Sequence, residues 1–207
     1  MSVPPSSSAK PLIYLASASP RRSALLAQIG VAHRVAPVAV DESVDGAEAP
    51  EKYVTRLSAL KADTLWQSLP AEQRLPVLGS DTSVVVDGAI LGKPADEHDC
   101  VRMLRLLSGR THQVHTAVAV RSAAGSEVRL SVSDVTFRDL TTAEMQAYWR
   151  SGEPADKAGG YAIQGRGAIF IRHIAGSYSG IMGLPLFETA ELLAAHRIVV
   201  QASEVQG

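Results

Sequence analysis

The residues best equipped for chemistry begin near the N-terminus, in Ser17-Ala18-Ser19-Pro20-Arg21-Arg22. Ser19 suits a helix N-cap, and Pro20 suits the first helical position, where a missing N–H costs nothing. The free N–H groups of a helix start attract an anion, and Arg21 and Arg22 add fixed positive charge beside them. Cations there oppose the helix dipole, so helix stability alone would not select them. The segment reads as a phosphate site; the alternative is a pair of arginines on a solvated face.

Asp81 stands inside the otherwise apolar run Val77-Leu78-Gly79-Ser80-Asp81-Thr82-Ser83-Val84-Val85-Val86. A buried carboxylate without a partner is strongly disfavoured unless it gives up its charge, so an acid here needs a metal ion, a lysine or a substrate-directed water. The alternative is a bulge, aided by Gly79, with the side chain capping nearby backbone. Glu42 lies in the acidic loop Asp41-Glu42-Ser43-Val44-Asp45, where carboxylates are usually just solvated. Lys61 falls among Leu57, Leu60 and Leu65, and the surface is the default place for a lysine. Lys93, in Leu91-Gly92-Lys93-Pro94-Ala95-Asp96, has neighbours that fix its backbone, as aiming a long cation at a phosphate requires. The stretch from Gly152 to Gly165 lets backbone approach a ligand closely, and Gln164 offers an amide suited to a base edge with adjacent C=O and N–H groups.

The elements that must position these residues alternate between strand and helix. A strand over Leu12–Ala16 turns into a helix that ends at Gly30, and His33–Val40 reads as a second strand. Pro50 opens a helix to about Leu69 with Tyr53, Leu57, Leu60, Thr64 and Leu65 on its inner stripe. The Val77–Val86 strand turns at Asp87-Gly88 into Ala89–Leu91, and a helix follows from Asp96 to Ser108. Two long strands, about His112–Arg121 and Val128–Arg138, come next. In the second, Val128, Leu130 and Val132 have opposite parity to Val135 and Phe137, which predicts a bulge near Ser133-Asp134. A helix capped at Thr141 or Thr142 runs to Arg150, a structureless glycine-rich segment spans Gly152 to Gly167, and a strand covers Ala168–Ile174. A last helix, from about Leu186 to His196, leads to a short apolar tail strand. The order predicts an α/β fold, a mixed twisted sheet with helices on its faces.

Composition narrows the partners. With 20 basic and 21 acidic residues the net charge is −1, so nothing draws the whole surface toward nucleic acid, and an anion site must be local. The one cysteine, Cys100, excludes an internal disulfide and a cysteine metal site and reads as a buried structural thiol. No apolar run is long enough to span a membrane. Residues 1–10 read as a flexible Ser/Pro-rich tail rather than a signal peptide, residues 11–207 as a single domain, and the compartment as the cytoplasm.

Ser17 to Arg22, Gly79-Ser80-Asp81-Thr82, Gly92-Lys93-Pro94-Ala95-Asp96, Ser108-Gly109-Arg110-Thr111-His112, Gly152 to Gly165, Gly176-Ser177-Tyr178 and Gly183-Leu184-Pro185 together resemble the Maf family of nucleoside triphosphate pyrophosphatases, from about Leu12 to His196. The resemblance implies an inosine triphosphate pyrophosphatase-like fold with two lobes around a nucleotide cleft. It implies cleavage of a nucleoside triphosphate to monophosphate and pyrophosphate, a divalent cation (Mg²⁺ or Mn²⁺), and a homodimer. By position, Asp81 matches the proton acceptor, and Ser17, Arg21, Arg22, Lys61 and Lys93 match the residues around the triphosphate. Glu42 matches an acid that could help Asp81 hold metal. Arg21, Thr82 and Gln164 match the positions that separate branches of the family, and they look like the branch preferring dTTP and UTP. The alternatives are a pyrophosphatase for 7-methyl-GTP or another modified nucleotide, and a nucleotide-sensing regulator of cell division without significant hydrolysis.

Overall fold

The computed structural model describes residues 12–200, so the expected tail at 1–10 lies outside the described residues. Among these described residues seven strands form one sheet: β1 (Ile13–Leu15), β2 (His33–Val35), β3 (Val77–Val86), β4 (Ala89–Leu91), β5 (Thr111–Ser122), β6 (Gly125–Phe137) and β7 (Ile171–Ala175). Their order is β2-β1-β3-β5-β6-β7, with β4 also paired to β3. β1 runs parallel to both neighbours, and every other pairing is antiparallel. This is the mixed sheet expected. Among the described residues six helices accompany it: α1 (Pro20–Gln28), α2 (Pro50–Ser68), α3 (Glu97–Leu107), α4 (Thr142–Arg150), α5 (Tyr178–Met182) and α6 (Leu186–Ala195). Among the described residues, no helix is long and apolar enough to cross a membrane.

The apolar side chains collect in three clusters. Leu15, Leu25, Leu26, Val118, Leu192 and Leu193 fill the layer between the sheet and α1 with α6. Tyr14, Ala62, Leu65, Trp66, Val77 and Ala119 fill the opposite layer beneath α2. The third cluster, with Val84, Leu104, Leu107, Phe137, Tyr148 and Phe170, surrounds the far end of the sheet and also encloses Cys100. Burial pushes the Cys100 thiol up to about 11, as fits a structural thiol.

Several local expectations change. The second strand is only His33–Val35, and residues 198–200 form no strand. The β5–β6 ladder runs without a register shift across Ser133-Asp134, and the irregularity lies at Thr136/Phe137, against β7. The parity change needs no bulge because β6 is covered on different faces at its two ends. Val128 packs toward the α2 layer, whereas Val135 and Phe137 enter the far cluster. The stretch after α4 is a series of short 3₁₀ turns, Glu153–Asp156, Ala158–Gly160 and Arg166–Phe170, which takes the first part of the strand expected over Ala168–Ile174. The short helix α5 was not visible in the pattern.

The rotation of α2 sets up the site. Its buried stripe is Val54, Leu57, Ser58, Lys61, Ala62 and Leu65, so Leu60 faces outward instead of inward. The cause is Gly79. A Cβ there would stand 2.3 Å from Ser58 O and 2.9 Å from Ala62 N, so strand and helix backbones meet directly. Only small residues fit at this contact, and seating Ser58 and Ala62 against β3 turns Lys61 into the interior.

Candidate active site

β1 covers β3 only at Val77–Leu78 and β4 covers it only at Val84–Val86, leaving the Gly79–Ser83 edge open. A cleft of about 560 Å³ opens along this gap, and all of the predicted site residues line it: Ser17, Arg21, Arg22, Glu42, Lys61, Asp81, Thr82, Lys93 and Gln164. The lining also includes Val84, Leu91, Val114, Ile163 and Ile181, apolar side chains of the kind that suit the flat face of a base.

Asp81 is 8% exposed, yet β3 pairs residue by residue with β5 across it, which excludes the bulge. Its partner is Lys61, itself 8% exposed rather than on the surface, with Nζ 2.7 Å from Asp81 Oδ1. Lys61 Nζ is also 2.7 Å from Glu42 Oε1. One ammonium thus joins the two acids. Burial raises the Asp81 carboxyl above its ordinary 3.8, with Lys61 and Arg22 pulling the other way. Glu42 also meets a burial penalty, but it is half-exposed and the Lys61 hydrogen bond prevails, so its carboxyl lies below the ordinary 4.5. Asp81 Oδ2 and Glu42 Oε2 carry no hydrogen bond among the described residues.

Sequence reasoning missed what holds Glu42. Tyr53, read as a core position, lines the cleft and donates from its hydroxyl to Glu42 O at 2.8 Å. Arg56 adds a bond to Ser43 O at 3.0 Å and a paired contact with Glu48. An aromatic hydroxyl and an arginine at the first turns of a helix facing an acidic loop were the available signals.

The turn before α1 is arranged differently from expectation. Ser19 sits at the N-cap without a side-chain cap bond, so the first-turn N–H groups stay open. Ser17 Oγ instead accepts from Ser19 N at 3.2 Å and from Arg22 Nη1 at 3.1 Å. With both lone pairs used, the Ser17 hydroxyl has only its proton to offer, which matches a phosphate oxygen. Arg22 is braced: Nε donates to Gly183 O at 2.8 Å and Nη2 to Thr82 Oγ1 at 3.3 Å. Arg21, Lys93 and Gln164 have no hydrogen-bond or ion-pair partner among the described residues, and Lys93 and Gln164 are exposed.

The segment presenting Gln164 is fastened by one carboxylate. Glu153 accepts from Tyr148 OH at 2.6 Å, Arg166 N at 2.9 Å and Gly167 N at 3.1 Å. Lys157, paired with Asp156, adds a further cation to the cleft wall.

Among the described residues, no group of three or more His, Cys, Asp or Glu side chains could hold a metal ion. Glu42 and Asp81 have one unpartnered oxygen each, so the donor set fits a divalent cation shared with a ligand's oxygens and does not form a closed protein site.

The family model described as Maf-like protein matches residues 12–196. The dTTP/UTP pyrophosphatase of Saccharophagus degradans is 55% identical over 189 residues, covering 91% of this chain and 90% of that protein. The dTTP/UTP pyrophosphatase of Alkalilimnicola ehrlichii is 51% identical over 195 residues, covering 93% and 96%. Among solved structures, a nucleoside-triphosphatase / dITP/XTP pyrophosphatase from Mycobacterium abscessus aligns with a TM-score of 0.42 and 17% identity, over 89% of this chain and 94% of that one.

Proposed function

This chain belongs to the Maf-like protein family, and on that footing we propose that it hydrolyses dTTP and UTP to the nucleoside monophosphate and pyrophosphate. The observation that carries the reading is the buried Asp81–Lys61 pair in the wall of the cleft that also holds the uncapped start of α1. A triphosphate brings roughly four negative charges, which the first-turn N–H groups, Arg21, Lys93 and Lys157 neutralise. Ser17 donates its remaining proton to a phosphate oxygen. Asp81, its carboxylate made more basic by burial, accepts a proton from water through Oδ2 as that water attacks the α-phosphorus in line. The bond to the bridging oxygen breaks and pyrophosphate leaves. Lys61 holds Asp81 in place through Oδ1, which keeps the other oxygen for the water. Gln164 pairs with the C=O and N–H edge of uracil or thymine, whose ring lies against apolar side chains of the lining.

Glu42, with Asp81 beside it and the substrate phosphates, would hold a divalent cation, Mg²⁺ or Mn²⁺, which supplies further neutralisation of phosphate charge. The family resemblance supports a homodimer, for which light scattering should read the mass of two chains, and the compartment we assign is the cytoplasm.

The test is a panel of nucleoside triphosphates with Mg²⁺ or Mn²⁺, following pyrophosphate and orthophosphate together. Pyrophosphate should appear first, with dTTP and UTP preferred. Orthophosphate as the first product would overturn the reaction, and a preference for 7-methyl-GTP would overturn the substrate assignment.

A further inference from the structure

Gln164 stands in a four-residue turn closed by Gly165 N, which donates to Ala162 O at 3.3 Å. Both ends of this turn are tied to side chains outside the cleft lining, Tyr148 on α4 and Glu153 just after it. On one side, Ala162 N donates to the Tyr148 hydroxyl at 3.0 Å. On the other, Arg166 N and Gly167 N donate to Glu153 Oε2 and Oε1, at 2.9 Å and 3.1 Å. The two supports are themselves joined. Tyr148 gives its single proton to Glu153 Oε1 at 2.6 Å, since a carboxylate can only accept. One phenol hydroxyl thus connects both flanks of Gln164. Its ring is 4% exposed and meets Phe170 edge-on, with ring centroids 5.0 Å apart. Gly167 shows how closely the chain is drawn in: a Cβ there would stand 2.7 Å from the Tyr148 hydroxyl and 2.8 Å from Ala162 O.

We propose that Tyr148 is a positioning residue for substrate specificity, whose buried hydroxyl holds the turn bearing Gln164 in place to meet a pyrimidine edge without itself touching the nucleotide. The assignment rests on reading the cleft as a dTTP and UTP site with Gln164 at the base. Gln164 has no side-chain partner among the described residues, so its aim comes from its backbone. Hydrogen bonds weaken steeply when distance or angle is lost, and a turn fixed before the ligand arrives loses less freedom on binding. Removing the Tyr148 hydroxyl leaves the N–H of Ala162, a residue 5% exposed, without its acceptor. A buried orphan donor is costly, and moving the turn relieves it. Glu153 keeps both of its main-chain bonds, so one flank stays fixed while the other shifts. The displacement falls on Gln164, between them. The start of α1, Lys61 and Asp81 lie on other elements and keep their geometry.

The experiment is calorimetric titration, in Mg²⁺, with two ligands. One is a dTTP analogue carrying a methylene bridge between the α- and β-phosphorus; the other is a methylene-bridged tripolyphosphate, which has no base. Wild type is compared with Tyr148→Phe, Gln164→Ala and the double variant. Tyr148→Phe should weaken the nucleotide analogue about fivefold, the size of one lost neutral hydrogen bond, and leave the base-free ligand within about twofold of wild type. The double variant should bind the nucleotide within about twofold of Gln164→Ala, because Tyr148 acts through Gln164. Nucleotide binding by Tyr148→Phe within about twofold of wild type, equal losses for the two ligands, additive losses in the double variant, or wild-type binding by Gln164→Ala would each overturn the proposal. Should Tyr148→Phe not fold, the wild type still decides through amide exchange followed by NMR. The Ala162 amide should exchange slowly before any nucleotide is added, and protection gained only with nucleotide would overturn the preset turn. Hydrolysis of dTTP is read separately: absent turnover with this split between ligands refutes the reaction and keeps the role of Tyr148, whereas turnover with equal losses refutes that role alone.

Discussion

The inner wall of the cleft and its rim treat charge in opposite ways. At the wall, Lys61, Asp81, Glu42 and Arg22 are already joined to one another or to backbone. At the rim, Arg21, Lys93 and Gln164 have no partner among the described residues. The difference follows from solvent. A charge at the buried wall is tolerable only when paired, so its geometry is fixed before any ligand arrives; a rim charge can wait in water at little cost. The wall is therefore suited to chemistry, which needs atoms held in place. The rim is suited to capture, which needs unsatisfied groups.

The sharpest way to break this comparison is at Asp81, the proposed base. Asp81→Asn should lower kcat by at least ~10²-fold with the fold intact, and near-wild-type turnover in a steady-state pyrophosphate assay would remove Asp81 from that role. Next is a contrast of two lysines. Lys61→Met leaves Asp81 buried and unpaired and should cost about 3 kcal/mol of stability. Lys93→Ala should change stability by less than about 0.5 kcal/mol while raising KM. Urea unfolding of both variants beside kinetics decides it, and equal losses would erase the distinction between wall and rim.

Gly79→Ala should destabilise by about 1–3 kcal/mol through a clash of backbone with Cβ, and kcat should fall as α2 is pushed away and Lys61 withdraws from Asp81. Loss of stability at full kcat would show that the close approach serves packing alone.

The smallest effects come from pH. In the proposed reaction Asp81 acts when ionised, and burial raises its carboxyl above 3.8, so the acid limb of kcat/KM should lie above that value. The two carboxylates on Lys61 have opposite linkage. Glu42, lowered in the fold, adds stability above its ordinary 4.5 that is lost as pH falls through its folded value. Asp81, raised, opposes folding when ionised, and that cost is relieved by protonation. Away from the cleft, burial depresses His112 to about 4, so the unfolded chain binds the extra proton first and stability should decline as pH drops from 6.5 toward 4. Denaturant midpoints across that range, with His112→Phe as the flattened control, read this contribution.

Much of the site was legible because its residues announced themselves locally. An acid in an apolar strand and arginines beside Pro20 are anomalies that sequence can show. The burial of Lys61 was not legible because periodicity describes a helix by its own pattern, whereas the orientation of α2 is set by a glycine on another element. The bulge expected in β6 failed for a related reason: parity assumes one buried face, and this strand changes layers along its length. The bracing of Arg22 needed hydrogen-bond accounting from α1 to β3 and to Gly183 beyond α5, which no single segment contains.

The Glu153 anchor sets the segment carrying Gln164 apart from the rest of the cleft. One side chain gathers a phenol and two main-chain amides, so the backbone carrying Gln164 is set from behind and not by what occupies the cleft in front. Exchanging the side chain at position 164 should therefore retune which base is accepted without resculpting its support. A laboratory seeking altered nucleotide preference would do better to vary that one position than to graft a foreign loop.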